Sequence, residues 1–155
     1  MKTVKQVFAL AVALLWGAFA QAQIDPVNTD GVALGGYDVV SYFSGKAKEG
    51  KKTFAAKHNE VTYYFASKAN REAFTKAPNK YLPQFDGYCA WGVGAKAAKF
   101  PINPETFDIV DGKLYLFFDG EFNGEQLDTS VDWKARTAEL EKAAHTNWPN
   151  IKDSK

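Results

Sequence analysis

Apolar and polar positions recur with different periods along this chain, and the period of each stretch predicts an element. Gln23 to Gly35 is polar and turn-rich, which predicts an extended lead-in. Gly36-Tyr37-Asp38-Val39-Val40-Ser41-Tyr42-Phe43 crowds its apolar residues as a short helix would, with Asp38 placed to cap it and Ser44-Gly45 to end it. Thr53 to Lys57 and Val61 to Ala66 are rich in β-branched and aromatic residues, and His58-Asn59-Glu60 between them supplies turn chemistry. That pair predicts a β-hairpin. Ser67 then sits at a helix start and Pro78 at its end, and Pro78 to Leu82 predicts one more helical turn before Pro83 to Gly87 breaks the chain.

Cys89-Ala90-Trp91-Gly92-Val93 is apolar and follows Asp86-Gly87, which predicts a short helix with Cys89 in its first turn. Phe107 to Val110 and Lys113 to Phe118 flank Asp111-Gly112, a strong two-residue hairpin signal. Thr129-Ser130-Val131-Asp132 has the capping-box pattern, and the helix it opens meets no breaker before Trp148-Pro149. Trp133, Leu140, Ala144 and Trp148 share one face of that helix. The expected fold is α+β in a single domain: a small antiparallel sheet from two β-hairpins, several short helices and a longer C-terminal helix.

Composition narrows the function classes. The chain has 155 residues, 19 Lys+Arg against 18 Asp+Glu, and 15% aromatic residues. The balance leaves no basic footprint for nucleic acid, and the aromatic content supplies a core. The single cysteine forbids an intrachain disulfide and a zinc site of paired thiolates. At the N-terminus, Met1-Lys2-Thr3-Val4-Lys5 is cationic and Phe8 to Ala20 is an apolar run of 13 residues ending in small ones. This is short for a membrane span and reads as a signal peptide over residues 1–22, with Ala20-Gln21-Ala22 before the cut and Ala18-Phe19-Ala20 as the nearby alternative. The expected product is exported to the periplasm or beyond, with no transmembrane anchor in the mature chain. Residues 150–155 form a tail.

The common hydrolytic, zinc-protease and phosphate-loop motifs are missing, and Gly92-Val93-Gly94 lacks the third glycine and the preceding strand of a dinucleotide loop. What remains is Cys89 with two histidines. At a helix start its thiolate would be stabilised by free backbone N–H groups, making it a nucleophile or a soft-metal ligand. The alternative is a buried cysteine acting as a small hydrophobe beside Tyr88 and Trp91. His58 is a candidate second ligand or general base, or else a turn histidine facing solvent. Tyr63-Tyr64-Phe65 could line a pocket, although alternating strand residues more often divide between core and cover.

Several of these segments together resemble the secreted branch of the YHS-domain proteins. They are Gly36 to Phe43, His58 with Tyr63-Tyr64-Phe65-Ala66-Ser67, Asn70-Arg71, Lys80 to Ala90, and Ile109 to Leu116. The resemblance runs from about Gly35 to Pro149 and implies a YHS-like domain over residues 36–149. Its relatives in copper-transporting ATPases and phenol hydroxylases are associated with metal binding, through a Tyr-Phe-Cys-Ser-x-x-Cys motif with two thiolates a helical turn apart. Here Ala66 and Asn70 stand at those two positions, while His58, Tyr64 and Ser67 match the residues that give the domain its name. In the secreted branch the resemblance points instead to the cysteine of Gly87-Tyr88-Cys89-Ala90, a position sometimes described as selenocysteine.

Three functions are therefore expected in order. The first is an exported binding module holding a soft transition metal such as copper through Cys89 and His58, completed by a partner or a second copy. The second is a thiol redox protein or enzyme in which Cys89 reacts with a thiol-bearing partner protein. The third is a non-catalytic adaptor for another exported protein.

Overall fold

The computed structural model describes residues 23–154. The expected signal peptide, residues 1–22, lies outside them. The architecture is α+β in one domain, as the patterning predicts, with the last helix the longest. No helix among the described residues is long and apolar enough to cross a membrane.

The first hairpin pairs β1 (Lys51–His58) with β2 (Val61–Phe65) through the two-residue turn Asn59-Glu60. Both turn residues have positive φ, 47° and 68°, the geometry that matches the twist of the flanking strands. His58 is consequently the last strand residue, paired with Val61, and not part of the turn. Then come α1 (Lys68–Lys76), capped by the Ser67 hydroxyl, and α2 (Ala90–Lys96). The second hairpin, β3 (Asn103–Val110) with β4 (Lys113–Phe117), turns at Asp111-Gly112 as predicted.

A third hairpin was not predicted. β5 (Asp119–Phe122) and β6 (Glu125–Asp128) join at Asn123-Gly124, again with positive φ at both turn residues. Its strands are too exposed to show an apolar alternation, so only the Asn-Gly pair could have revealed it. The three hairpins stay as separate two-stranded sheets, so the expected single sheet does not form among the described residues.

Two helix expectations also change. The stretch from Gly36 to Phe43 holds only one helical turn, Ser41–Ser44, because Gly36 has φ 90° and Tyr37 is extended and bridges Glu49. The C-terminal helix divides into α3 (Thr129–Ala135) and α4 (Thr137–Ile151), broken at Arg136 with φ −134°. Asp128 caps α3 by accepting from the Ser130 N–H, so the cap falls one residue before the predicted Thr129. Arg136 ties the two helices by pairing with Asp132 at 3.1 Å and Glu139 at 2.6 Å.

Trp133 on α3 is fully buried, its ring 5.0 Å from Tyr115 and 5.4 Å from Phe117 on β4. Leu140 and Ala144 on α4 face α2, and a Cβ at Gly94 would come within 2.6 Å of the Leu140 carbonyl oxygen. Gly94 is thus needed for the close approach of two helices. Burying these rings and aliphatic side chains is worth roughly 2 kcal/mol each, and it fixes α3 against the second hairpin and α4 against α2.

Candidate functional site

Cys89 is reached through a backbone that few sequences tolerate. In the helical turn Gln84–Gly87, Phe85 and Asp86 have φ of 56° and 51°, followed by Gly87 at 85°. Non-glycine residues pay for this left-handed geometry, about 1–2 kcal/mol each with aspartate among the more tolerant. Burial holds Phe85 there, its ring packed on Trp148 and His145 of α4. The turn leaves Asp86 exposed on one side and delivers Cys89 inward on the other.

Cys89 is the N-cap residue of α2 and is completely buried. Its backbone N–H donates to the Phe100 carbonyl, and its carbonyl accepts from the Val93 N–H. The sulfur lies 3.3 Å from the Thr129 hydroxyl, which itself donates to the Phe118 carbonyl at 2.8 Å. With that hydrogen committed, the neutral thiol is the donor to Thr129, and the hydroxyl can favour a thiolate only by turning away from the Phe118 carbonyl. Burial pushes the thiol up from its ordinary value, outweighing the Thr129 hydroxyl and the Gly92 and Trp91 amides that favour the thiolate. The expected lowering by a helix start is reversed because desolvation is the larger effect.

His58 has other neighbours. Its ring meets Phe74 of α1 edge-on at 6.0 Å, and it lines a cavity of about 390 Å³ that Cys89 does not line. The sequence-derived pair is therefore not brought to one site. Among the described residues, no three His, Cys, Asp or Glu side chains are grouped to hold a metal ion. Of the two donors expected for copper, the thiol is enclosed and bonded to Thr129 and the imidazole lines the cavity.

The positions at which the resemblance places two thiolates serve a different end. The Ala66 N–H and the Asn70 side-chain amide both donate to Oδ2 of Asp38, at 2.8 and 2.7 Å. Oδ1 of the same carboxylate accepts from the Val40 and Ser41 N–H groups. Asp38 is fully buried, and four donors hold it without a cation. It ties the Ser41–Ser44 turn, the end of β2 and the start of α1 together. Ser67 caps α1, and Tyr64 packs against Gly36, so the three name-giving residues of the resemblance go to three separate tasks.

The cavity beside His58 assembles residues that sequence reading did not join. Its polar lining includes Tyr63 of β2, Asp86 and Tyr88 from the strained turn, Lys99, and Lys152 beyond α4. Pro26, Val61, Leu82 and Pro83 supply apolar wall. Tyr63 is only 8% exposed, and burial together with the Asp86 carboxylate pushes its hydroxyl up to about 12. That hydroxyl makes no hydrogen bond with any described residue, yet it is not sealed from solvent. The imidazole of His58 and the carboxylate of Asp86 likewise have no hydrogen-bond partner among the described residues. The Tyr-Tyr-Phe run was the one sequence signal for this cavity; its other walls come from segments far apart in the chain.

Comparison of the chain with protein-family models, with curated proteins and with solved structures finds no match, so the site is read from its own geometry.

Proposed function

We propose that this protein is an exported, YHS-like binding module that holds a small ligand in the cavity lined by His58, Tyr63 and Asp86. One observation carries this reading: Tyr63, a residue only 8% exposed, lines that cavity, and its hydroxyl has no hydrogen-bond partner among the described residues. A hydroxyl on a nearly buried ring that finds no protein partner, set in a concave and part-apolar site, is one that a ligand's polar group can pair with. The volume, about 390 Å³, suits a small organic molecule. Cys89 then serves the packing of α2 against α3 and takes no part in binding.

A fragment screen followed by amide chemical shifts tests this. Shifts are expected to cluster at His58, Val61, Tyr63, Asp86 and Tyr88, with none around Cys89 and Thr129. Shifts centred on Cys89 would overturn the reading. So would a melting temperature raised by Cu(I) in the wild-type protein and unmoved in Cys89→Ser, which would restore the soft-metal site.

A further inference from the structure

Resting on the cavity reading above, we propose that the ligand is a small organic monoanion: one carboxylate on an apolar body, carrying a hydroxyl or amine that donates to Asp86. The charge of the lining sets the sign. Among the lining residues Lys99 and Lys152 carry ammonium groups and Asp86 a carboxylate, which leaves one uncompensated positive charge from these three. A lining of that charge attracts an anion and repels a free cation.

The donors then set the group. Lys99 Nζ donates to the carbonyls of Lys152 and Ser154 at 2.7 and 2.6 Å and lies 5.2 Å from the centre of the Tyr88 ring. An ammonium has three hydrogens, so one remains for a ligand. The same two bonds pin the turn that carries Lys152, whose ammonium forms no ion pair with a described residue. Tyr63 adds a hydroxyl donor from the floor. Three donors without a guanidinium or a glycine-rich loop match the two oxygens of a carboxylate better than the three of a phosphate. Asp86 can only accept, so the ligand must bring it a donor. The backbone geometry that holds Asp86 at the rim, with φ 51°, is the kind of local cost that functional sites retain. Pro26, Val61, Leu82 and Pro83 leave the ligand's body in apolar surroundings.

Two isosteric pairs of probes separate charge from shape: 4-hydroxyphenylacetate against 4-hydroxyphenylacetamide, and hexanoate against hexanamide. Affinities are read from amide shifts of the purified protein titrated into the millimolar range. The anion of each pair is expected to bind about tenfold or more tightly than its amide, the size of one charge-assisted hydrogen bond. Lys152→Gln, which leaves the backbone carbonyl that Lys99 holds, should remove most of that preference without altering the spectrum of the free protein. Tyr63→Phe should weaken the anions and leave the amides nearly unchanged. Equal affinity for anion and amide overturns the ligand class while the cavity reading stands. An absence of shifts at His58, Tyr63 and Tyr88 with all four probes overturns both.

Discussion

Around Asp38 every carboxylate oxygen is claimed by donors of the same chain, whereas the side chains of His58, Tyr63 and Asp86 make no hydrogen bond with a described residue. Both neighbourhoods border β2, Ala66 following its last residue on the Asp38 side and Tyr63 facing the cavity. The difference teaches where this fold spends polar groups on stability and where it withholds them. Closed networks stiffen a fold because removing one member strands the others, and an open one costs stability unless something binds. Cys89 belongs with Asp38 in this division: it is buried, bonded and protonated.

Breaking the closed side should have the largest effect. Asp38→Ala leaves the N–H groups of Val40, Ser41 and Ala66 and the Asn70 amide without their acceptor, and a loss on the order of 4 kcal/mol is expected in urea unfolding. A loss near zero would mean that water enters the site and that the comparison is drawn in the wrong place. Next in size is Cys89→Ser, which sets a shorter, more polar group in the same enclosure and should cost about 1–2 kcal/mol. In the folded wild-type protein the thiol should resist iodoacetamide and react only as fast as the protein unfolds; rapid labelling would move Cys89 to the open side.

The open side should respond in the other direction. Asp86 is exposed, holds φ 51° and makes no hydrogen bond with a described residue, so Asp86→Gly relieves backbone strain at little loss of contact. A gain of about 0.5 kcal/mol is expected, reduced from the full strain because glycine also loosens the unfolded chain. The same change should weaken any ligand that donates to Asp86. A variant both more stable and poorer at binding would sharpen the contrast, since strain kept against stability is what a functional position shows.

How much of this was legible depended on whether a signal was local. The Asn59-Glu60 and Asp111-Gly112 hairpins and the Ser67 cap were within reach because each is decided by neighbouring residues. The break at Arg136 was not, because no glycine or proline marks it and Arg136 instead spans the joint through Asp132 and Glu139. Cys89 was legible as a position with two characters left open, and the structure matches the buried one: the helix start is there, but burial beside Thr129 and Phe118 outweighs its effect on the thiol. The cavity was least legible, since Tyr63, Asp86, Lys99 and Lys152 approach one another only in the folded chain. Asp38 was predicted as a helix N-cap, whereas Val40 holds that position before the Ser41–Ser44 turn; Asp38 instead accepts from the Val40 and Ser41 N–H groups with one oxygen and reaches Ala66 and Asn70 across the fold with the other.

The smallest expected effect at neutral pH is the most specific test of the open side. Tyr63→Phe removes a hydroxyl that bonds nothing in the described structure, so stability at pH 7 should stay within about 0.5 kcal/mol of wild type. A phenol paired with a buried group would cost two to three times as much. The contrast appears in alkali. The folded hydroxyl is held up to about 12, above its ordinary value of 10.0, by burial first and by Asp86 second, so folding favours its neutral form. Its contribution is complete below pH 10 and is lost as pH rises from there through 12, while the unfolded chain ionises and the folded one does not. Urea midpoints between pH 10 and 12 should therefore fall less steeply in Tyr63→Phe than in wild type, by up to one proton's worth of slope. A saturating anionic ligand that accepts from this hydroxyl should hold the proton further still, moving the wild-type fall to higher pH and leaving the phenylalanine variant where it was.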